Sequence, residues 1–306
     1  MRISTSHTAR VCVLVALTLG AAGVLTTGSS AQVAPSHVAA TATASRLVAV
    51  RAAHHPGYDR IVFEFSGPAP SRQHVRYVNR LIADPSGRPI PIAGRAILAA
   101  SFFPATARGA AASVTAPGRV AFALPNVMTV VRAGDFESVL SYGIGLAKRT
   151  TFHVFTLTNP SRVVIDIDTP FKTIPRKVYF ENLPRFSTGT RPYVTAVLRP
   201  VLPGAPAVGV MDRLFAGPTS AESASGLRLR QSRATGFTGL SIADLVARLR
   251  LTGGCSSGGS TFSIADQIYP TLKQFATVNF VKIYDPAGHT ERPSGRSDSI
   301  PFCLEP

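Results

Sequence analysis

The sharpest catalytic pattern in the sequence is a serine between glycines. Residues 254–258 read Gly-Cys-Ser-Ser-Gly, which is the Gly-x-Ser-x-Gly spacing of a hydrolase elbow with Ser256 as nucleophile. Asp266 or Asp285 and then His289 follow in the chain order of such a triad. However, only 50 of the 306 residues follow Ser256, too few for the parallel sheet that supports an elbow. We therefore expect no catalytic residues, with a serine hydrolase using Ser256 as the alternative.

A second polar cluster, His55, Asp59 and Arg60, surrounds a Pro-Gly pair. A ligand site would use the Arg60 fork on a carboxylate or phosphate, with Asp59 positioning it. In the alternative, Asp59 bonds its own backbone in a turn and Arg60 pairs with a nearby acid. We keep His55, Asp59 and Arg60 as the candidate binding residues.

Metal-ligating side chains are sparse. Asp166 and Asp168 alternate with isoleucines, so both point to one face of a strand and could ligate Ca²⁺ or act as acid and base. Two carboxylates are too few for a metal site, and a solvated strand face accounts for them. The histidines at 54–55 have only His74 or His153 as further ligands, without a recurrent spacing. We expect neither a metal nor a cofactor.

The elements that must position these residues change character near residue 170. Before it, short β-branched and aromatic runs are separated by Pro/Gly turns, which indicates an antiparallel sandwich or barrel. Along residues 74–77, for example, Val and Tyr alternate with His and Arg. We predict an all-β sandwich domain over residues 46–170, with residues 104–118 as a mobile Ala/Gly/Pro loop.

After residue 170, strands and helices interleave, which predicts an α+β domain with a mixed sheet over residues 176–290. A helix is expected over residues 206–216, because a proline lies near its start and Gly-Pro follows its end. Another is expected near residues 264–275, bent or shortened by its internal proline. Residues 241–250 fit either a short helix or a strand.

The N-terminus predicts export. Residues 1–31 read as a signal peptide: Arg2 and Arg10, an apolar stretch, and a small-residue cleavage site. The apolar stretch is shorter than the roughly 20 residues of a membrane-spanning helix, so no stable span is expected after cleavage. Residues 32–45 are rich in Ala, Thr and Ser and predict a flexible leader.

Export also decides how the three cysteines are interpreted. Cys12 would leave with the signal, so Cys255 and Cys303 remain in an oxidising exterior. A metal site would need further ligands at suitable spacing, and only His289 is near. We expect a disulfide bond between Cys255 and Cys303 that ties down a C-terminal tail, residues 291–306.

The first half resembles the AMIN-like domains of exported actinobacterial proteins. The resemblance is carried by residues 55–65 (HPGYDRIVFEF), 134–146 (GDFESVLSYGIGL) and 155–168 (FTLTNPSRVVIDID). The related AMIN domains are β-sandwiches that bring exported proteins to the cell wall. The resemblance therefore implies targeting to the cell envelope rather than catalysis.

The second half resembles the GerMN domain of sporulation, germination and other exported envelope proteins. Its signals are residues 178–180 (VYF), 211–219 (MDRLFAGPT) and 266–275 (DQIYPTLKQF). The sequence departs from the family pattern in the glycine-rich segment 253–259 and in the tail after Asp285. The resemblance implies a non-enzymatic part of an envelope assembly, and weakly implies self-association.

The strongly basic composition bears on partners. Lys and Arg number 32 against 16 acids, for a net charge of +16, and the excess is spread over both halves of the chain. No nucleic-acid-binding signature is evident, so anionic wall polymers or headgroups are the expected counterparts. The alternative is that abundant arginine reflects only a GC-rich genome.

Together these features predict a secreted, non-enzymatic cell-envelope protein, associated with the cell wall. It would bind cell-wall glycan (peptidoglycan) or an anionic wall polymer, and also a protein partner or a second copy of itself. Nucleic acid is not an expected partner. The alternatives are a small secreted serine hydrolase using Ser256 and a passive, self-associating structural module.

Overall fold

The computed structural model describes residues 44–306, which belong to one compact unit with two large hydrophobic cores. The predicted signal peptide and most of the predicted leader lie outside the described residues. The leader prediction is wrong at its last residue, because Ser45 is buried and its hydroxyl donates to the Pro68 carbonyl at 2.6 Å. Residues 44–306 are mostly β, with 46% strand and 14% helix.

The first half of the described chain is built from strands. They are β1 (Ser45–His55), β2 (Tyr58–Ser66), β3 (Arg72–Val78), β4 (Leu81–Ile82), β5 (Pro89–Ile90), β6 (Ala96–Phe103), β7 (Ala105–Thr106), β8 (Arg119–Ala121), β9 (Val127–Phe136), β10 (Val139–Leu146), β11 (Phe152–Leu157) and β12 (Ser161–Asp168). Two five-stranded sheets form, in the orders β11-β12-β2-β1-β7 and β3-β6-β10-β9-β8, and β4 pairs with β5.

The two sheets share one core because alternate side chains of each strand point between them. On β2, Phe63 and Phe65 are buried. The Phe63 ring lies 4.8 Å from the Phe102 ring of β6 and 5.4 Å from the Tyr142 ring of β10, centroid to centroid. These aromatic contacts join the first sheet to the second.

Residues 104–118 do not form the mobile loop expected from their composition. Strand β7 lies within the segment, and Ala107 and Ala116 are buried in the core. The Thr115 hydroxyl donates to the Leu47 carbonyl at 2.6 Å. This Ala-rich stretch is therefore packed against the sandwich core.

The second half alternates strands with helices. They are β13 (Ile174–Asn182), α1 (Leu183–Ser187), β14 (Val194–Val201), α2 (Pro206–Ala216), α3 (Ser220–Ala224), β15 (Leu227–Arg228), β16 (Ala234–Ala243), β17 (Val246–Gly253), α4 (Ala265–Lys273) and β18 (Phe280–Tyr284). The strands form two three-stranded sheets, β14-β13-β15 and β16-β17-β18.

Helix α2 has the predicted bounds, and α4 continues through Pro270. Residues 241–250 belong to the hairpin β16–β17, so the strand alternative was right and the helix alternative wrong. The apolar residues of this segment have the spacing of a helix. However, Asp244 and Leu245 both have positive φ and form the turn of the hairpin, which interrupts any helix. No helix among residues 44–306 has the length and apolar character to cross a membrane.

Side chains of α4 and of Gln274, the residue that follows it, satisfy the backbone groups on the free edge of β13. The Gln274 amide accepts from the Lys177 N–H at 2.9 Å and donates to the Lys177 carbonyl at 2.6 Å. One turn earlier, the Thr271 hydroxyl accepts from the Tyr179 N–H at 3.1 Å. Because Thr271 and Gln274 face the same edge of β13, this end of the helix occupies the place of a neighbouring strand. These hydrogen bonds also stabilise the packing of the helix against the sheet.

The C-terminal tail is held by several contacts along β18. Ser299 accepts from the Ile283 N–H at 2.9 Å and donates its own N–H to Val281 at 3.1 Å. The buried Lys282 ammonium donates to the carbonyls of Arg292 and Ser294. The tail therefore packs as an extension of the sheet.

Candidate functional site

Asp59 lies at the start of β2 with its side chain inside the protein. Its carboxylate is fully buried. Oδ2 accepts from the backbone N–H groups of Asn126 at 2.7 Å and Val127 at 2.9 Å. Oδ1 lies 2.8 Å from Nδ1 of His54. All the available room around the carboxylate is taken by the protein itself, so Asp59 anchors a loop rather than facing a ligand.

Arg60, the next residue, points to the opposite face of the sheet. Its guanidinium donates two hydrogen bonds of 2.7 Å to Asp166 on the neighbouring strand β12. It also lies 5.3 Å from the ring centroids of Tyr58 and Phe155. The hydrogen bond to Asp166 raises the pKa of Arg60 above its usual value. Arg60 therefore pairs with an acid of the protein, as the alternative to a ligand site predicted.

His55, Asp59 and Arg60 therefore share no cleft. His55 stacks on Tyr58 with 5.0 Å between ring centroids, and its neighbour His54 is the histidine that meets Asp59. Successive residues of a strand point to opposite faces, which separates Asp59 from Arg60 however close they are in sequence. The turn alternative was also incomplete, because Asp59 bonds the backbone of a distant loop rather than its own.

A residue of the second half of the chain, Arg213, also binds the loop that Asp59 anchors. Arg213 of α2 is buried, and its guanidinium donates to carbonyls of the loop that connects β8 to β9. The accepting carbonyls are those of Phe122 at 3.2 Å, Leu124 at 2.5 Å, Pro125 at 3.1 Å and Val127 at 3.3 Å. Burial lowers the pKa of Arg213 to about 9. This contact joins the two halves of the chain.

Of the predicted hydrolase triad, Ser256 and Asp266 have other partners, whereas His289 lies beside Asp285. The Ser256 hydroxyl accepts from the Gly258 N–H at 3.2 Å, and Asp266 accepts from the Ser263 N–H at 2.7 Å at the start of α4. His289 is 80% exposed and lies 3.4 Å from Asp285. No hydrogen bond joins Ser256 to a histidine within residues 44–306.

The cysteines next to this segment are joined in the structure. Cys255 and Cys303 form a disulfide bond with their Cα atoms 5.7 Å apart. The Ser257 N–H donates to the Cys303 carbonyl at 2.7 Å. The glycine-rich segment after β17 therefore holds the tail.

The paired aspartates of β12 are also engaged. Asp166 holds Arg60, and Asp168 accepts from the Thr151 hydroxyl. Within the described part of the chain, no three His, Cys, Asp or Glu side chains lie close enough together to hold a metal ion.

An open groove lies instead on the outer face of the second sheet. On its edge strand β3, Val75 and Tyr77 pack toward the core. Arg72, His74 and Arg76 alternate with them and point outward. We call this surface the basic groove. It is lined by the three outward side chains of β3 together with Arg80, Ser101, Phe103 and Ser141.

The basic groove has two connected parts that share His74 and Ser101. The outer part, along Arg72 and Phe103, has a volume of about 700 Å³. The inner part, which reaches Arg76, Arg80 and Ser141, has a volume of about 210 Å³. Because the outer part is open to solvent, its shape suits a chain that continues beyond the protein.

Residues 81–94 cover the rest of this sheet face and form the wall of the groove. They lie close to β10 because two of its residues are glycines. A Cβ at Gly143 would lie 2.5 Å from the Leu81 side chain, and one at Gly145 would lie 2.0 Å from the Ala93 carbonyl. Leu81 and Ile90 pack with Val131 on this side of the sheet as a small apolar cluster.

The polar groups of the groove have few partners in the protein. Arg72, Arg76 and Arg80 form no ion pair within residues 44–306, and neither part of the groove is lined by Asp or Glu. The Arg72 guanidinium lies 4.5 Å from the Phe103 ring centroid, which holds its stem in place. The Ser141 hydroxyl is buried and has no hydrogen-bond partner.

Sequence reasoning did not select this groove. The alternation of His74 and Arg76 with apolar neighbours was visible and did indicate an outward polar face. The alternation does not identify the neighbouring strands. Ser101 and Ser141 come from β6 and β10, which lie far from β3 in the sequence. An outward arginine on an edge strand also has a simple role in preventing strand pairing, so the alternation alone indicates no ligand.

Comparison with known proteins identifies the first half. Residues 45–169 match the AMIN-like domain. This confirms the predicted AMIN-like resemblance, and the basic groove lies entirely within the matched residues. No curated protein and no solved structure matches the chain. The resemblance of the second half to GerMN domains stays a prediction.

Proposed function

We propose that this chain, which contains an AMIN-like domain at residues 45–169, is a secreted, non-enzymatic protein that adheres to the cell wall. AMIN-like domains are typically extracytoplasmic, and they fit a cell-envelope, peptidoglycan-associated role. The predicted signal peptide and the bonded pair Cys255 and Cys303 support an oxidising location.

The basic groove is the observation that carries this proposal. It is an open channel with unpaired polar side chains, on the exposed face of the matched domain. Such a surface suits a long polymer, cell-wall glycan or an anionic wall polymer, better than a small substrate, because nothing encloses a reacting atom.

The second half has a separate proposed role. We assign residues 176–290 to an α+β domain of the GerMN type that binds an envelope protein or a second copy of the chain. Support comes from the helix and strand order and from the exposed edge strand β14, where Leu198 is 62% exposed.

The direct test is sedimentation of the mature chain, residues 32–306, with purified cell walls at low and high salt. We expect the protein to pellet with the walls at low salt and to be partly released by high salt. Absence from the pellet at every ionic strength would overturn wall binding.

Two further measurements test location and the absence of catalysis. N-terminal sequencing of the extracellular protein is expected to begin at Gln32, whereas an unprocessed intracellular chain with free Cys255 and Cys303 thiols would contradict export. In assays with wall fragments and simple esters, we expect no turnover above that of the Ser256→Ala variant. A hydrolytic activity lost in that variant would favour the hydrolase alternative.

A further inference from the structure

We propose that the basic groove takes a linear phosphodiester polymer of the cell wall, rather than neutral glycan. The inference rests on the proposed function, because it assumes that the domain meets the wall. It goes beyond that function by assigning the ligand chemistry and the residues that recognise it.

The balance of hydrogen-bond donors and acceptors in the groove favours a phosphodiester. Arg72, Arg76 and Arg80 can only donate hydrogen bonds, and the groove has no carboxylate to accept them. A phosphodiester is an acceptor without donors, so it complements this lining. Arginine forks bind such oxygens with charge-assisted hydrogen bonds.

A neutral glycan makes the opposite demand. Each sugar hydroxyl both donates and accepts, so a glycan site needs acceptor side chains and exposed aromatic faces. In the groove, the Phe103 ring is already covered by Arg72. The amino groups of wall peptides would likewise require carboxylates, which the lining does not contain.

The spacing of the β3 arginines supports a linear ligand. Arg72 and Arg76 lie on one face of β3, with His74 between them. Every second residue of a strand is displaced by about 6.7 Å, so the two arginines lie about 13 Å apart along one line. A polymer with one negative charge per repeat presents its charges along a line in the same way.

The competing explanation is that the cations only protect the edge of the sheet. Charged side chains on an edge strand prevent pairing with other chains. That role predicts aggregation when the charges are removed and no change in ligand binding. The two explanations therefore differ in a measurable way.

The test compares two charge-matched triple variants of the mature chain. The first, R72Q/R76Q/R80Q, removes the groove arginines. The control, R46Q/R250Q/R296Q, removes three exposed arginines that do not line the groove. Circular dichroism and thermal unfolding check that both fold, which is expected because the substituted side chains are exposed.

Four probes are used with each protein: intact walls, walls treated to remove phosphodiester polymers, soluble polyglycerol phosphate, and vesicles of phosphatidylglycerol and phosphatidylcholine. For the unmodified chain we expect polyglycerol phosphate to bind, and removal of the phosphodiesters to weaken wall binding about tenfold or more. We expect the groove variant to lose about tenfold in affinity for both, and the control about twofold or less.

The outcomes separate this inference from the proposed function. Equal binding to intact and stripped walls, unchanged in the groove variant, would overturn the inference and leave wall adhesion standing. Absence of binding to every wall preparation would overturn both. Binding to vesicles of phosphatidylglycerol and phosphatidylcholine as tight as to polyglycerol phosphate would overturn the assignment to a wall polymer.

Discussion

Asp59 and Arg213 hold the same loop from opposite sides of its backbone. The Asp59 carboxylate accepts from the N–H groups of Asn126 and Val127, and the Arg213 guanidinium donates to carbonyls between Phe122 and Val127. The two side chains come from different halves of the chain. The loop therefore connects α2 to the start of β2 through side-chain hydrogen bonds.

Replacing Asp59 by Asn should destabilise the protein strongly. An Asn amide of the same shape offers one oxygen and places its NH₂ group against a donor that Asp59 now satisfies. We expect the free energy of unfolding to fall by about 3 kcal/mol. Urea denaturation measures this, with D244N in the exposed β16–β17 turn as the matched control. A fall under about 0.5 kcal/mol would contradict the anchoring role.

Replacing Arg213 by Met should loosen the contact between the halves. The variant leaves four loop carbonyls without their donor, so we expect a loss of about 3 kcal/mol or more. Hydrogen exchange of residues 122–127 should become faster than in the unmodified chain. The Arg213→Lys variant should be intermediate because one ammonium reaches fewer carbonyls. Unchanged exchange in the Met variant would count against the contact.

Glu222 should make stability depend on pH in the acid range. Burial raises the pKa of its carboxyl, but hydrogen bonds from Arg199 and Thr219 outweigh this and bring the pKa below the usual 4.5. The unfolded chain then binds the proton first on acidification. The stabilisation is complete above the unfolded pKa and disappears as the pH falls through the folded pKa.

The measurement is urea denaturation of the unmodified chain and of Glu222→Gln from pH 7 to pH 3. We expect the variant to be less stable at pH 7, with the difference shrinking toward pH 3. Glu137→Gln, in the exposed β9–β10 turn, serves as the control and should show no such trend. A difference that grows on acidification would show that the assigned sign is wrong.

Breaking the disulfide bond should destabilise the chain without releasing the tail. Cys255 and Cys303 are 48 residues apart, for which loop closure predicts about 4 kcal/mol. The hydrogen bonds of Lys282 and Ser299 should keep the tail in place after reduction. Denaturation with and without reductant measures the effect, and C255S/C303S should be insensitive to reductant. Two reactive thiols in the native protein would contradict the bond.

Local patterns in the sequence were sufficient for some elements, such as α2, and for the family of the first half. The bounds of α2 followed from Pro206 at its start and Gly217 after its end, where φ is +93°. Residues 55–65 and 155–168 carried the AMIN-like resemblance, which the match at residues 45–169 confirms. These signals are local, because capping and the two-residue period of a strand act within a few residues.

The composition of each site was decided only by the tertiary structure. Arg60 meets Asp166 across 106 residues of sequence, Asp59 meets His54 rather than His55, and the basic groove joins β3 to β6 and β10. The period of a strand states which residues share a face. It does not state which strand lies beside it or in which register, because those depend on how two sheets bury their apolar faces together.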